Sequence, residues 1–434
     1  MSGALLGLLG FAAVLVLAAL RVPVAVAMGV VGTVGSAALL DWQSAAYLMS
    51  SLPFQAVFPY SLSVVPLFIF MGVFATHSGL SRSLYNGVHA LLGHRRGGIA
   101  MATVGACAVF GAICGSSLAT CATIGKVALP EMRRRGYSPR FAGATVAAGG
   151  TLGVMIPPSI ILVLYALLTE QSIGALFAAA MVPGLIATLL YLAAIMIQVR
   201  LRPELGPADR RLPWGERARA LAGTWDALLL IGLVIGGIYT GIFSPTEAAA
   251  VGAGGALLIT AAKGRLSREA LLSGLAETAQ LTGMVFLILI GAALFNLFIE
   301  ATELPGTLVT WVGESGLSAG TVIALIIVFY IVLGCFMDSL SMILLTVTPA
   351  FAIITQLGLD PVWFGVLLVT VAEIGLITPP IGMNLFVIQA LSSDLRLAEL
   401  SLGVVPFILA DIIRVILLAA VPALSLWLPS VLGI

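Results

Sequence analysis

GVMIPPSI (Gly153–Ile160) recurs as GLITPPIG (Gly375–Gly382), an offset of 375 − 153 = 222 residues in a chain of 434. Each copy sets two consecutive prolines inside an apolar run. Proline donates no N–H and its ring collides with the preceding turn, so a Pro-Pro pair breaks a helix and leaves carbonyls without helical partners. Upstream lies a second pair of related stretches. GSSLATCATIGKVALP (Gly115–Pro130) aligns without a gap on GCFMDSLSMILLTVTP (Gly334–Pro349), an offset of 334 − 115 = 219. The near-equal offsets make the halves an internal repeat, each reading span, arm, hairpin, broken span, span.

Composition fixes the solvent in which this repeat folds. Sixty per cent of the residues are apolar, and Lys, Arg, Asp and Glu together number 20 + 19 = 39, far below the roughly 25% charged content of soluble domains. A bilayer core about 30 Å thick takes roughly 20 apolar residues per helix. Apolar runs predict about ten spanning helices, at residues 3–20, 22–40, 60–78, 141–168, 172–199, 223–243, 244–262, 279–300, 361–391 and 399–428, with polar arms at 81–92, 266–277 and 303–315. The fold class is an all-α polytopic membrane protein in contact with the lipid bilayer. No basic run is interleaved with aromatic residues, so nucleic acid is not a partner. The N-terminus lacks a basic n-region and a small-residue cleavage site and reads as a retained first helix. Cys107, Cys114, Cys121 and Cys335 lie in apolar runs without a CxxC pairing and read as packing residues.

Two apolar stretches fit no simple crossing. Residues 97–130 lie between Arg95 and Arg96 on one side and Arg133, Arg134 and Arg135 on the other. With both clusters cytoplasmic, the segment enters the membrane and returns as a re-entrant hairpin with CGSSLAT at its tip. Residues 317–357 form a second hairpin with tip GCFMDSLS, flanked by Glu303, Glu314 and Asp360. Ten spans and two hairpins put nearly every Lys and Arg on the cytoplasmic side with both termini periplasmic, and leave Asp41, Glu170, Glu247, Glu303, Glu314 and Asp360 opposite. Only Arg414 sits at depth. One hairpin opens inward and the other outward, an inverted repeat. The chain divides into scaffold helices 1–54, a first repeat 55–199 with broken helix 141–168, a cytoplasmic loop with scaffold helices and an arm over 200–277, and a second repeat 278–434 with broken helix 361–391.

Inverted repeats place a substrate and ion site near the midplane, where broken helices expose backbone groups. Asp338, Glu373 and Asn384 are polar groups within predicted membrane segments, costly there and therefore functional candidates. Asp411 and Arg414 share a helical face and read as a structural ion pair. His77, His89 and His94 lie near the inner boundary and read as solvated polar residues. The chain carries no HExxH, no GxSxG with credible partners, no GxxxxGK[ST] phosphate loop and no His/Cys cluster, so an enzyme or ATPase is not expected.

At GAICGSSLATCATIGKVALPEMRRRGY, AAGGTLGVMIPPSIILVLYALLTEQSIGALFAAAMVPG, GIFSPTEAAAVGA and AEIGLITPPIGMNLFVIQ, the chain resembles the large membrane subunit of tripartite ATP-independent periplasmic (TRAP) transporters, the DctM type, over essentially its whole length. The resemblance implies a sodium-driven importer of organic acids in the bacterial inner membrane. It also implies a small four-helix membrane subunit and a periplasmic substrate-binding protein as partners, and an elevator motion of hairpins and broken helices against a scaffold. Carried over position by position, the sodium sites resemble Gly334, Gly375, Thr378 and Ile381, mostly through backbone carbonyls, with repeat partners Gly115, Gly153, Ile156 and Ser159. Hydroxyls of Ser116, Ser117, Thr120, Thr151 and Ser339 complete the ion shell or contact a substrate carboxylate, as do Asp338, Glu373 and Asn384. The nearest rival is a stand-alone sodium/divalent-anion symporter with similar hairpins, which needs no binding protein; the Pro-Pro pair together with SPTEAAAVGA favours the tripartite family.

Overall fold

A computed structural model describes residues 3–40, 42–392 and 394–434. The outer placement of Asp41 lies outside the described residues. Among those described, every regular element is helical. Five helices are long and apolar enough to cross a bilayer by length and composition, namely Tyr60–His77, Ile173–Leu201, Arg268–Ala301, Ser339–Gln356 and Leu397–Ala420, and two bent pairs raise the number to seven. Shorter apolar helices such as Gly3–Ala19 and Val24–Leu39 reach only about 24 to 26 Å at 1.5 Å per residue. Large apolar side chains stand exposed along these outer helices, Val16, Val34, Leu189, Leu258 and Ile416 among them. Lipid, not water, satisfies such a surface.

The two expected hairpins are helix pairs. Gly98–Cys114 turns at Gly115 into Ser117–Arg134, and Ala319–Gly334 turns into Ser339–Gln356. Gly115 takes φ +63°, a left-handed conformation that suits glycine because it has no Cβ. Ser116 caps the returning helix of the first hairpin, its Oγ accepting from Ala119 N, and Asp338 caps that of the second, its Oδ2 accepting from Ser341 N at 2.9 Å. Both Pro-Pro pairs interrupt their helices as expected. Pro139–Met155 and Ile160–Leu168 meet at 42°, and Pro361–Gly375 is separated from Met383–Leu391 by residues 376–382.

Three elements differ from the sequence reading. Residues 42–57 form a helix, Trp42–Val57, which the hydropathy pattern left unassigned because Gln43, Ser44, Ser50, Ser51 and Gln55 dilute its apolar residues. The arm at 266–277 and the span at 279–300 are one continuous helix, Arg268–Ala301, capped by Ser267 and 34 residues long. Its polar first turns project past the apolar portion. The span expected at 399–428 divides at Val421 and Pro422 into Leu397–Ala420 and Ala423–Leu432, because Pro422 supplies no N–H to continue the ladder.

Arg414 is fully buried, and its Nη2 lies 2.9 Å from Asp411 Oδ1. Asp411 Oδ2 also accepts from Tyr191 Oη at 2.6 Å, which ties Leu397–Ala420 to Ile173–Leu201. Removing one partner of a buried pair strands the other charge at about 3 to 5 kcal/mol. Asp411→Asn is therefore expected to lower the thermal transition of the detergent-purified protein by several degrees. An unchanged transition would show that the pair does not hold these helices together.

Candidate functional site

The packing of hairpins on broken helices begins with glycines. A Cβ on Gly375 would lie 2.5 Å from the backbone of Gly334, and one on Gly111 would lie 2.7 Å from Gly153 Cα. Each broken helix thus crosses its hairpin at backbone contact, as small residues permit inside a membrane. That approach brings Glu373, two residues before Gly375 on the same turn, to the hairpin tips.

Glu373 is fully buried, and its carboxylate holds both tips together. Ser339 Oγ donates to Oε1 at 3.0 Å and Ser117 Oγ donates to Oε2. Ser117 and Ser339 are each the first residue of a returning helix and are separated by 339 − 117 = 222 positions, the same offset as Gly153 and Gly375. The gapless pairing at 219, which set Ser117 opposite Phe336, is therefore three residues out of register at the tips. At the corrected offset Glu373 is the repeat counterpart of Thr151 (373 − 151 = 222). The halves are alike in backbone and unlike in charge.

A cavity of about 530 Å³ opens from this carboxylate. The tip residues Gly115, Ser116, Ser117, Asp338 and Ser339 line it together with His77, Glu277, Thr123 and Lys126. His77 Nε2 lies 3.6 Å from Glu277 Oε2, so His77 is not the freely solvated residue the sequence suggests. The lining carries three carboxylates, Glu277, Asp338 and Glu373, against one ammonium, Lys126. Sequence reasoning missed Lys126 and Glu277. Lys126 was detectable, being an ionisable residue inside the apolar hairpin stretch; Glu277 was read as part of a polar arm.

The remaining expected residues divide into those near the cavity and those beyond it. Ser116 and Asp338 line the cavity and cap helices. Thr120 is fully buried and its Oγ1 has no hydrogen-bond partner among the described residues; a Cβ on Gly153 would fall 2.4 Å from it. Thr151 sits apart, with Oγ1 donating to Ala148 O at 2.7 Å and lying 3.0 Å from Tyr191 Oη. Asn384 also lies outside the cavity lining, with Nδ2 donating to Ala147 O at 3.0 Å and Oδ1 buried and unpartnered.

The four expected sodium positions of the first half gather at one break. Gly115 approaches the Pro158 carbonyl and Gly153 the Ser116 carbonyl, while Ile156 ends one helix and Ser159 caps the next. Pro157 and Pro158 withhold the N–H groups that a continuous helix would direct at the carbonyls of Gly153 and Val154. In the second half Gly334 touches Gly375, and Thr378 and Ile381 lie in the break. There the Gly375 carbonyl already accepts from Thr378 N at 3.1 Å, and Thr378 Oγ1 donates to Ile374 O at 2.7 Å. Among the described residues, no N–H reaches the carbonyls of Thr378 or Ile381. Free carbonyls and orphan hydroxyl and amide oxygens form a neutral oxygen donor set, suited to a hard cation.

The family model for the DctM component of tripartite ATP-independent periplasmic transporters matches residues 11–424. The chain belongs to the DctM family. It is 38% identical over 379 residues to the C4-dicarboxylate TRAP transporter large permease protein DctM of Pseudomonas aeruginosa, covering 86% of this chain and 87% of that one. It is 32% identical over 377 residues to the sialic acid TRAP transporter large permease protein SiaM of Vibrio cholerae, covering 86% of each. The crystal structure of the Alcanivorax borkumensis YdaH transporter shares the fold, with a TM-score of 0.65 and 17% identity over 89% of this chain and 90% of that one. This DctM-family chain is a multi-pass membrane permease component; its relatives are transporter permeases, not enzymes.

Proposed function

We propose that this chain is the large membrane subunit of a sodium-coupled importer of organic acids, working with a small four-helix membrane subunit and a periplasmic substrate-binding protein. The reading adopts ten spans and two inverted hairpins in the bacterial inner membrane, both termini periplasmic, with hairpins and broken helices moving as an elevator against residues 1–54 and 200–277. The observation that carries it is the Glu373 carboxylate clasping Ser117 and Ser339 at the head of the cavity. One buried group couples the two hairpins, so that a tip leaving its place changes the environment of the other.

The charge inventory supports coupling to a cation. Three carboxylates against one lysine repel an anionic cargo unless positive charge enters with it. The residues suited to hold sodium are Gly115, Gly153, Ile156 and Ser159 in one half and Gly334, Gly375, Thr378 and Ile381 in the other. Sodium there supplies positive charge and the free energy of its own gradient. The hydroxyls of Ser116, Ser117 and Ser339 and the N-terminal ends of Ser117–Arg134 and Ser339–Gln356 face a carboxylate with donors and partial positive charge.

The test is uptake into proteoliposomes holding the complete three-part complex. Replacing external sodium by choline is expected to abolish accumulation, and omitting the binding protein and small subunit is expected to do the same. Undiminished uptake in choline that collapses with the proton gradient would transfer coupling to protons on Asp338 or Glu373. Uptake by this chain alone at the full rate would establish the stand-alone symporter instead.

A further inference from the structure

A second cavity of about 580 Å³ lies at the foot of the first hairpin, lined by Gly125, Lys126, Leu129, Pro130, Arg133, Arg134, Leu391 and Ser392. Lys126 is the one lining residue it shares with the central cavity. The helix Ser117–Arg134 explains the connection. Ala119, Ala122, Thr123 and Lys126 line the central cavity at spacings of 0, 3, 4 and 7. Lys126, Leu129, Pro130 and Arg133 line the second at the same spacings. Positions so spaced form one face of a helix, so a single stripe, about 21 Å long from residue 119 to 133, runs through both cavities with Lys126 at its midpoint.

The charges along this stripe change sign. The central cavity carries Glu277, Asp338 and Glu373; the lower one carries Lys126, Arg133 and Arg134 and no carboxylate in its lining. Arg133 is already engaged, with Nη2 2.5 Å from Ser392 Oγ and 2.8 Å from Asp394 Oδ1. Hydrogen bonds from Ser392 and Arg133 hold the Asp394 carboxyl below its usual range. Lys126 is exposed and, among the described residues, has no ion-pair partner.

We propose that this stripe is the path by which an anionic cargo leaves the central cavity, with Lys126 as the cationic step between that cavity and a basic vestibule at the foot of the first hairpin. The proposal rests on the organic-acid reading above and adds to it a route and a residue. An anion moving away from three carboxylates meets a free ammonium and then the guanidinium groups of Arg133 and Arg134, which Asp394 and Glu131 offset only in part, so its electrostatic energy falls along its way out. Lys126 is a positioning residue for the cargo rather than a coupling group.

The test has two arms on the complete complex. In the first, a reporter cysteine, Leu391→Cys, is labelled with an anionic sulfonatoethyl and a cationic trimethylammonioethyl methanethiosulfonate. Rates are corrected for the chain without the reporter, whose four cysteines are buried. Lys126→Gln is expected to lower the anion-to-cation rate ratio about fivefold, the effect of one unit charge at roughly 8 Å in a watery vestibule, and Lys126→Arg to preserve it. In the second arm, Lys126→Gln is expected to cut the maximal rate of organic-acid uptake about tenfold, with half-saturation by loaded binding protein unchanged and with rescue by Lys126→Arg. An unchanged ratio or an unchanged maximal rate overturns the path. Reporter labelling blocked in phosphatidylglycerol nanodiscs and free in phosphatidylcholine assigns the vestibule to a lipid headgroup and also overturns it. A complex that takes up no organic acid but still loses its labelling preference with Lys126 overturns the organic-acid reading and leaves the anion path standing.

Discussion

Glu373→Gln is expected to reduce sodium-driven uptake by at least 100-fold while leaving the protein at normal abundance in the membrane. Glutamine has nearly the same volume, so the contact of Gly334 with Gly375 beside it is undisturbed. What changes is charge and hydrogen-bond polarity. The carboxylate accepts from Ser117 and Ser339 at once; the amide accepts at one atom and donates at the other, so one serine must turn its hydroxyl round. Charge-assisted hydrogen bonds contribute about 1.5 to 3 kcal/mol each, and a 100-fold loss corresponds to about 2.7 kcal/mol. A buried charge also costs desolvation, so the neutral variant should unfold at the same temperature or higher. That opposition of effects, less transport with no less stability, separates a role in coupling from a role in packing. Glu373→Asp keeps the charge but retracts it by one methylene and is expected to fall between, at about a tenfold loss. Wild-type uptake by Glu373→Gln would remove the carboxylate from the mechanism.

The sequence disclosed more of the architecture than of the site. Pro-Pro in matching contexts located both broken helices, and paired basic clusters around residues 97–130 located the first hairpin, because prolines and charges have few tolerable positions in a bilayer. Trp42–Val57 was not legible, since a helix diluted by Ser and Gln does not stand out by hydropathy. Arg268–Ala301 was cut in two because its polar start resembles a connector. The tip register was displaced by three residues for a different reason. Few identities join the hairpins, whereas the structure equates Ser117 with Ser339 through a shared partner more than 30 residues from either. Asp338 and Glu373 were singled out by the cost of polar groups in lipid and Ser339 by the family resemblance; the cost rule applied consistently would have flagged Lys126. Asn384, chosen by the same rule, and Thr151, carried over with the resemblance, lie elsewhere. Polarity at depth marks residues that need partners, and Tyr191 and Ala147 supply them. The His77–Glu277 pair joins residues 200 apart and follows only from helix packing.

The second large effect is expected from closing a backbone break. Pro157→Ala combined with Pro158→Ala should raise the sodium concentration for half-maximal uptake at least tenfold. Thr378→Val should change it less than threefold. The double variant restores two N–H groups within reach of the Gly153 and Val154 carbonyls, four residues back, and withdraws both from a cation. Thr378→Val keeps its carbonyl and loses a hydroxyl that already donates to Ile374 O at 2.7 Å. Pro379→Ala with Pro380→Ala is the informative control. The Gly375 carbonyl there already accepts from Thr378 N and the Leu376 carbonyl from Asn384 N, so new donors must compete with bonds already made. Its effect should lie between the other two. Membrane abundance and binding to the partner subunit need to be matched, because a straightened helix also shifts everything packed on Ile160–Leu168. Should Thr378→Val lose sodium dependence while the Pro157/Pro158 variant keeps it, side-chain oxygens would hold the ion, and the assignment of Gly153 and Ile156 through their backbone would fall.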